Sequence, residues 1–277
     1  MIGYRARAEL RVERDGVSLR IHDEGNFREP NCVVLLHGLG LDLDSWCPVA
    51  QCLAEAGHRV IRLDWRGHGG SGAPPTGYAL ADLVEDVHAV LDRLEVERAH
   101  LVGHSLGGTV AAEFALHHPI RVSSVSVLGG VVAGYPPSPT FVAWTRQVIG
   151  LLQGGGVPAL LATLPDTVMY RNRAERRVNV ALHSPSFVPE NFASAAAAAT
   201  TVPSSWDRLR SGELHAPVLF LNGVDDPAVL KSAPQIAAQV PRARGVALEH
   251  AGHLALLEQP DAVSQQLLDF FSNPPRR

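Results

Sequence analysis

One pattern recurs along the sequence: a short, continuous apolar run is followed by a segment with helical periodicity. The runs "CVVLLHG" (32–38) and "HRVIRLD" (58–64) have the composition of strands that are buried on both faces. Residues 79–94 repeat leucine and valine at the spacing of one helix face. Strands that alternate with helices favour a mostly parallel sheet with helices on both faces. The sequence therefore predicts an α/β fold.

Eight strands can be counted in the sequence. The pair Asp15-Gly16 is predicted to be the turn of an opening β-hairpin, which accounts for the first two strands. The other strands are predicted at 32–38, 58–64, 98–103, 121–128, 216–223 and 242–250. Helices are predicted at 44–55, 79–94, 106–117, 229–240 and 261–271.

The alternation stops between about residues 131 and 211, where prolines, glycines and an alanine-rich run replace the strand patterns. Large apolar side chains are too frequent there for a disordered linker. They are Phe141, Trp144, Leu151, Leu152, Phe187, Phe192 and Trp206. We predict short helical patches, separated by proline and glycine, that form an insertion at 131–211 in a core made of 1–130 and 212–277. An insertion longer than an ordinary loop is commonly functional.

Ser105 stands between Gly103 and Gly107 in "GHSLGG", where a predicted strand passes into a predicted helix. A G-x-S-x-G sequence at such a junction is typical of a strained turn that presents a serine nucleophile. Crowding in the turn would explain both glycines, and Gly108 would let the helix approach the sheet. An ordinary glycine-rich turn is the plain alternative. A phosphate loop fits less well, because no Gly-Lys-Ser/Thr follows.

A serine hydroxyl needs a base, and the chain has thirteen histidines. His253 follows the last predicted strand, where a loop can reach over the edge of the sheet, and it is the best candidate by position. His104 adjoins Ser105, but such a turn points adjacent side chains apart. We therefore predict that His253, and not His104, is the base.

Asp225 and Asp226 are candidates for the carboxylate that orients the base. They lie in "FLNGVDDP", at the end of the penultimate predicted strand and between Ser105 and His253 in the sequence. A carboxylate there can hold an imidazole in the correct tautomer and stabilise its charged form. A solvated turn is the ordinary interpretation of an isolated Asp-Asp-Pro. On the residues alone, both aspartates remain candidates.

Six features in order along the chain resemble those of the α/β-hydrolase superfamily, and the resemblance covers essentially the whole length. They are "HGLG" (37–40), Trp46, "DWRGHGGSG" (64–72), "GHSLGG" (103–108), "NGVDDP" (222–227) and "GHLALLEQP" (252–260). The resemblance implies an α/β-hydrolase fold in which the insertion at 131–211 is a helical cap over the active site. It also favours Asp226 over Asp225, because the family's acid usually ends a G-x-x-D pattern.

The resemblance further implies the roles of the site residues. Ser105 would be the nucleophile, His253 the base, and Asp226 the acid that orients this base. The backbone N–H groups of Leu39 and Leu106 would form the oxyanion hole.

Other polar residues near these motifs are expected to be structural. His37 would anchor the loop that precedes Leu39, and Asp64, Arg66 and Ser71 resemble a structural turn of the family. His104 receives no role.

The chemistry that the resemblance implies is acyl transfer to water. We expect a serine hydrolase that cleaves a carboxylic ester or lactone through an acyl-enzyme, with no cofactor. Dehalogenases and epoxide hydrolases carry aspartate in place of Ser105, which argues against them. Two alternatives stay open. The triad could be reused for C–C bond hydrolysis, lyase or cofactor-free oxygenase chemistry, or the chain could be a non-catalytic receptor for a small molecule.

The aromatic side chains of the insertion favour an apolar pocket, so we expect a small, largely apolar substrate. The predicted substrate contacts are Trp144, Phe141, Phe187, Phe192 and Trp206. Each of these rings could instead pack the insertion against the core.

The composition of the chain argues against nucleic acid, membranes and metal ions as binding partners. The formal net charge is −4, and no run of lysine or arginine marks a surface for nucleic acid or a membrane. No apolar run reaches the roughly 18 residues of a membrane span. The histidine pairs lack the carboxylate or cysteine set of a metal site, so we predict no metal.

The first residues lack a secretory signal, and three early cysteines fit reduced thiols. We expect a cytoplasmic monomer or homodimer that acts on a small molecule.

Overall fold

The computed structural model describes residues 4–27, 32–130, 132–163, 205–229 and 231–275. The strands are β1 (Tyr4–Arg14), β2 (Val17–Asn26), β3 (Cys32–Leu36), β4 (Arg59–Leu63), β5 (Ala99–His104), β6 (Val122–Leu128), β7 (Val218–Gly223) and β8 (Ala243–Leu248). The α-helices of the described part are α1 (Cys47–Glu55), α2 (Leu80–Arg93), α3 (Leu106–His117), α4 (Pro139–Thr163), α5 (Ser205–Arg210), α6 (Ala233–Ala237), α7 (Ala255–Glu258) and α8 (Pro260–Ser272). Short 3-10 helices cover Leu43–Trp46 and Pro119–Arg121.

All eight strands belong to one sheet, in the order β1-β2-β4-β3-β5-β6-β7-β8. The pairs β1–β2 and β2–β4 are antiparallel, and every other neighbouring pair is parallel. Asp15 and Gly16 have φ of 51° and 75°, as a tight turn between β1 and β2 requires. The predicted eight-stranded, mostly parallel sheet is confirmed.

The central strands are buried on both faces because helices cover the two sides of the sheet. Alternate residues of β3 contribute to opposite layers: Val34 and Leu36 pack in the cluster that contains α2 and α3. Val33 and Leu35 pack in the cluster that contains α1 and α8. This two-sided burial explains why the strands read as continuous apolar runs rather than alternating ones.

The parallel strands bring separate stretches of the chain to one edge of the sheet. Strands β3, β5, β6 and β7 run in the same direction, so the segments that follow them emerge together. Those segments begin at His37, Ser105, Gly129 and Val224. Crevices at the carboxyl ends of parallel strands are the usual ligand sites of such sheets.

The first helix of the insertion differs from the prediction. Instead of short patches, α4 is one helix of 25 residues that passes through Gly154 and Pro158. Glycine and proline lower helix propensity by about 1 and 3 kcal/mol without necessarily ending a helix. The first turns of α4 are anchored, because Trp144 and Val148 are buried one helical turn apart.

The segment after β6 lies beside the start of α5. The Trp206 N–H donates to the Ala133 carbonyl at 2.9 Å, which joins the segment after β6 to the start of α5. Strands β6 and β7 pair directly, with Val125 opposite Val218. Of the helices in the described part of the chain, none combines the length and apolar surface that crossing a bilayer requires.

Candidate active site

Ser105 occupies the turn that joins β5 to α3. Its φ of 51° and ψ of −117° lie in a region that residues other than glycine rarely adopt. Neighbours hold this conformation: the Ser105 N–H donates to Leu128 O at 2.9 Å, and Ser105 O accepts from the N–H groups of Gly108 and Thr109. A backbone of this kind costs about 1–3 kcal/mol and is found mainly at functional sites.

The glycines around Ser105 are required by close backbone contacts. A Cβ at Gly103 would lie 2.1 Å from the Gly107 carbonyl carbon, and one at Gly107 would lie 2.2 Å from Leu36 O. A Cβ at Gly108 would approach the Val127 side chain to 2.9 Å, so this glycine lets α3 pack closely on β6. Crowding thus explains the pattern, as the sequence predicted.

His253 and Asp226 form a buried pair at the same edge of the sheet. His253 Nδ1 lies 3.1 Å from Asp226 Oδ1 and 3.2 Å from Oδ2. Both residues are 6% exposed. The Ala228 N–H also donates to Asp226 Oδ1 at 2.8 Å, which fixes the carboxylate. Asp225, the alternative acid, is exposed and makes no contact with His253 that the described residues show.

Gly129 and Gly130 border both parts of the site. A Cβ at Gly129 would lie 3.0 Å from Asp226 Oδ2 and 3.3 Å from His253 Nδ1. A Cβ at Gly130 would lie 3.2 Å from Ser105 O. The structure therefore brings together three residues that are spread over about 150 positions of the sequence.

His104 faces the backbone of His253. Its Nε2 lies 2.8 Å from His253 O, and the two ring centroids are 4.8 Å apart. Burial, followed by the charge of His253, lowers the pKa of His104 to about 3. The Nε2 of His104 is thus engaged with the His253 carbonyl, and burial disfavours the charged form of the ring.

The loop after β3 is held beside Ser105 by His37 and Trp65. The Trp65 N–H donates to His37 Nε2 at 3.2 Å, so His37 Nδ1 carries the proton that is donated to Gly38 O at 2.8 Å. Burial lowers the pKa of His37 well below its ordinary value, which keeps the ring neutral. A Cβ at Gly38 would lie 3.1 Å from Ser105 Cβ, so this loop lies against the Ser105 turn.

Asp64 connects the turn after β4 to the segment before α1. It accepts hydrogen bonds from the N–H groups of Leu43 at 2.7 Å and Gly70 at 2.8 Å. Burial raises the pKa of Asp64 to about 6.

Arg66 is buried and donates two hydrogen bonds to the carboxylate of Asp86. These contacts are structural and do not reach Ser105 within the described residues.

Glu258 was not identified from the sequence, although it is close to the site. Its Oε2 accepts from the Gly252 N–H at 2.7 Å, and the carboxylate also accepts from the Leu254 N–H. Burial raises the pKa of Glu258, while these two backbone bonds oppose the rise. The signal in the sequence was a carboxylate that follows His253 closely and precedes the last predicted helix.

The predicted aromatic contacts are only partly described. Trp144 is buried and Phe141 half-buried, with ring centroids 5.8 Å apart at the start of α4. Trp206 packs edge-on against Tyr135 at 4.8 Å, within the main hydrophobic cluster. Phe187 and Phe192 lie outside the described residues. Substrate contact by any of these rings stays a prediction.

Ser138 joins the insertion to the loop that carries Asp226. Its Oγ donates to Pro227 O at 2.5 Å and accepts from the Phe141 N–H at 3.0 Å. The second bond satisfies a free donor at the start of α4. No sequence pattern indicated this connection.

Within the described ranges, no three His, Cys, Asp or Glu side chains are grouped so that they could bind a metal ion. The same edge of the sheet carries Ser105 and an imidazole that is bonded to a carboxylate, a set of groups suited to nucleophilic catalysis.

Comparison with known proteins places this geometry in context. A family model described as the alpha/beta hydrolase fold matches residues 31–260. A 2-hydroxy-6-oxononadienedioate/2-hydroxy-6-oxononatrienedioate hydrolase from Paraburkholderia phymatum is 32% identical over 275 residues, which cover 94% of each chain.

Two solved structures are similar over nearly the whole chain. A hydrolase from Pseudomonas aeruginosa PA01 superposes with a TM-score of 0.80 at 29% identity, covering 96% of this chain and 98% of the other. The enol-lactonase from Burkholderia xenovorans LB400 superposes with a TM-score of 0.78 at 26% identity, covering 96% and 100%.

Proposed function

Because the chain belongs to the α/β-hydrolase family, we propose that it is a serine hydrolase that cleaves a carboxylic ester or lactone of a small, largely apolar molecule. The observation that carries this proposal is the buried His253–Asp226 pair at the sheet edge that holds the strained Ser105. A serine with a purely structural role would need neither a strained turn nor a carboxylate-bound imidazole at the same sheet edge.

His253 acts as the base in this proposal. Since a carboxylate only accepts hydrogen bonds, Asp226 selects the tautomer in which His253 Nδ1 carries the proton. His253 Nε2 then has a lone pair for the proton of Ser105. Asp226 also stabilises the imidazolium that forms, and its own position is maintained by the Ala228 N–H.

The oxyanion hole is proposed to consist of two backbone amides. Leu106 is the first residue of α3, so its N–H has no acceptor inside the helix. Leu39 follows Gly38, which lies against the Ser105 turn. Removal of one such donor typically costs about 3–4 kcal/mol of transition-state stabilisation.

The reaction proceeds in two halves. Ser105 Oγ attacks the carbonyl carbon while its proton passes to His253 Nε2, and the negative charge develops on the carbonyl oxygen. His253 returns the proton to the leaving alkoxide, which leaves an acyl-enzyme. Water, deprotonated by His253, then attacks the acyl carbon and releases the acid and free Ser105. His253 carries every proton transfer in this scheme, and the backbone amides only donate hydrogen bonds to the oxyanion.

Residues 131–211 are proposed to be the cap that covers the site. The link from Ser138 to Pro227 supports this arrangement, because it fastens the start of α4 next to Asp226. Phe141, Trp144, Phe187, Phe192 and Trp206 are the proposed apolar contacts of the substrate.

The enzyme is proposed to work in the cytoplasm, as a monomer or homodimer. Cys32 is buried, Cys47 and Cys52 are half-buried, and all three are free thiols. Free thiols fit a reducing compartment.

A second candidate is hydrolysis of a C–C bond next to a ketone. The relative from Paraburkholderia phymatum favours it, because that protein's name describes hydrolysis of an oxo acid whose only cleavable link to the carbonyl is a C–C bond. The same nucleophile, base and amides would serve both reactions. The two candidates differ in the leaving group, which is an alkoxide in one and a stabilised carbanion in the other.

The test compares three substrate sets on the purified protein. They are p-nitrophenyl esters of graded chain length, lactones, and a 2-hydroxy-6-oxo dienoate. A kcat/KM for an ester or lactone at least about tenfold above that for the dienoate supports the proposal, since that ratio is about 1.4 kcal/mol of transition-state preference. The reverse ratio favours the second candidate.

The control is Ser105→Ala together with a fluorophosphonate probe. The wild type should be labelled and active, and the variant should be neither. Unchanged turnover in Ser105→Ala would refute any serine mechanism. Labelling without repeated turnover of any carbonyl substrate would instead indicate a receptor.

A further inference from the structure

The backbone around His253 is held by two side chains that come from different parts of the chain. On one side, His104 Nε2 lies 2.8 Å from the carbonyl oxygen of His253 itself. On the other, the Glu258 carboxylate accepts from the N–H of Gly252 at 2.7 Å and from the N–H of Leu254. Hydrogen bonds therefore hold the main chain at His253 itself and at the residues on either side of it.

We propose that His104 and Glu258 are positioning residues that aim the His253 imidazole by clamping its backbone. The inference rests on the proposed role of His253 as the base. It gives a function to the histidine beside the nucleophile and to a carboxylate that the triad does not use.

A clamp is needed because His253 lies in a loop. It follows β8 and precedes the short helix α7, so no strand or helix ladder holds its main chain. Hydrogen bonding to Asp226 restrains only the imidazole ring. A base displaced by about 1 Å can lose about 100-fold in rate, so the backbone must be held as well as the ring.

His104 is suited to this task because it stays neutral and has one N–H to give. It is 2% exposed, and the bond to a carbonyl requires the proton on Nε2. Nδ1 has no hydrogen-bond partner among the described residues, and it faces Gly38, where a Cβ would come within 2.6 Å of it. The ring is thus packed on one side and bonded on the other, which defines a single orientation.

Glu258 acts as an acceptor rather than as a charge. The side chain is half-buried, and burial raises its pKa. The surroundings of Glu258 therefore disfavour its charged form. Two backbone N–H groups converge on the one carboxyl group, and a neutral carboxamide oxygen can accept in the same way.

Four variants separate donor and acceptor chemistry from size. His104→Phe keeps a ring and removes the donor, whereas His104→Gln keeps an N–H at a similar reach. Glu258→Leu removes the acceptor, whereas Glu258→Gln keeps it without the charge. His100→Phe is the matched control: His100 lies in the same strand, bonds Ser124 Oγ at 2.7 Å, and does not contact His253 among the described residues.

The readouts are kcat and KM on the best ester, the melting temperature, and amide exchange at Gly252 and Leu254. We expect His104→Phe and Glu258→Leu to lose about 100-fold in kcat with KM within about twofold. The two Gln variants should retain kcat within about threefold, and His100→Phe should equal the wild type. Exchange of both amides should accelerate about tenfold in Glu258→Leu, because their acceptor is gone.

Several results would overturn the clamp. One such result is a kcat equal to that of the wild type in both His104→Phe and Glu258→Leu. Another is an equal loss of kcat in His104→Phe and His104→Gln while the melting temperature stays unchanged. Unchanged exchange in Glu258→Leu would do the same. If the wild type shows no Ser105-dependent turnover, the proposed function fails, while the exchange measurement still decides whether the backbone is held as described.

Discussion

Ser138 Oγ donates a hydrogen bond to the carbonyl oxygen of Pro227, and this bond couples the first helix of the insertion to the loop that carries Asp226. The same hydroxyl oxygen accepts from the Phe141 N–H and so caps α4. One side chain therefore stabilises a helix and positions a candidate catalytic loop.

Ser138→Ala should lower both stability and activity. Loss of an N-cap costs about 1 kcal/mol, and the carbonyl of Pro227 loses its donor. We expect a lower melting temperature and a fall of several-fold in kcat. Thr145→Ala is the control, because Thr145 bonds the Phe141 carbonyl within α4 and does not reach Pro227. A greater loss of kcat in the control would contradict the coupling.

Asp226→Asn should abolish most activity, and Asp225→Asn should not. Only Asp226 contacts His253 Nδ1 among the two aspartates, while Asp225 is exposed. The carboxamide can present its N–H to the ring and favour the wrong tautomer, which costs about 10⁴-fold in kcat in a comparable triad. Asp225→Asn should stay within about twofold of the wild type. Comparable losses in both variants would remove Asp226 from its proposed role.

Gly107→Ala should destabilise the fold severely, in contrast to Gly154→Ala. The new Cβ at position 107 would lie 2.2 Å from a backbone oxygen of Leu36, which no side-chain movement can relieve. We expect a loss of at least about 3 kcal/mol in the free energy of unfolding. Gly154 is exposed within α4 with nothing near its Cβ position, so alanine there should stabilise by about 0.5–1 kcal/mol. Urea denaturation measures both changes.

Buried histidines should make the protein less stable in mild acid. His68 is 3% exposed, and burial lowers its pKa to about 4. The folded protein therefore binds fewer protons than the unfolded chain between about pH 4 and 6.5, so stability falls as the pH decreases through that window. The loss attributable to this one ring is about 2 kcal/mol at pH 5.

His68→Gln should flatten that part of the pH dependence. The measurement is the free energy of unfolding at pH 7.5 and pH 5 for the wild type and the variant. His117→Gln provides the comparison, because His117 is exposed on α3. An identical drop in the wild type and His68→Gln would show that His68 does not remain neutral when folded.

The sequence predicted those features that depend on neighbouring residues. Apolar runs mark the buried strands, and the glycines around Ser105 mark a crowded turn, because both effects act within a few positions. The continuous helix α4 was missed, since tertiary burial of Trp144 and Val148 is not visible in a pattern of glycine and proline.

The contacts of His104 and Glu258 could not be predicted in the same way. The bond from His104 reaches a residue 149 positions away, and its existence depends on the path of a loop. Asp225 and Asp226 are adjacent, so their sequence positions are nearly equivalent, and only the course of the backbone after β7 brings Asp226 to His253.

The bond between Ala133 and Trp206 bears on how such a protein can change over time. The segment after β6 and the segment before β7 are joined by this bond, and β6 and β7 pair directly. The register of these two strands therefore does not depend on the residues between Ala133 and Trp206. A segment of different length or composition that is grafted after Phe141 would leave the bond from Ser138 to Pro227 in place. If this segment is the substrate cap, as proposed, a new specificity would need recombination at two nearby positions rather than gradual remodelling of the core.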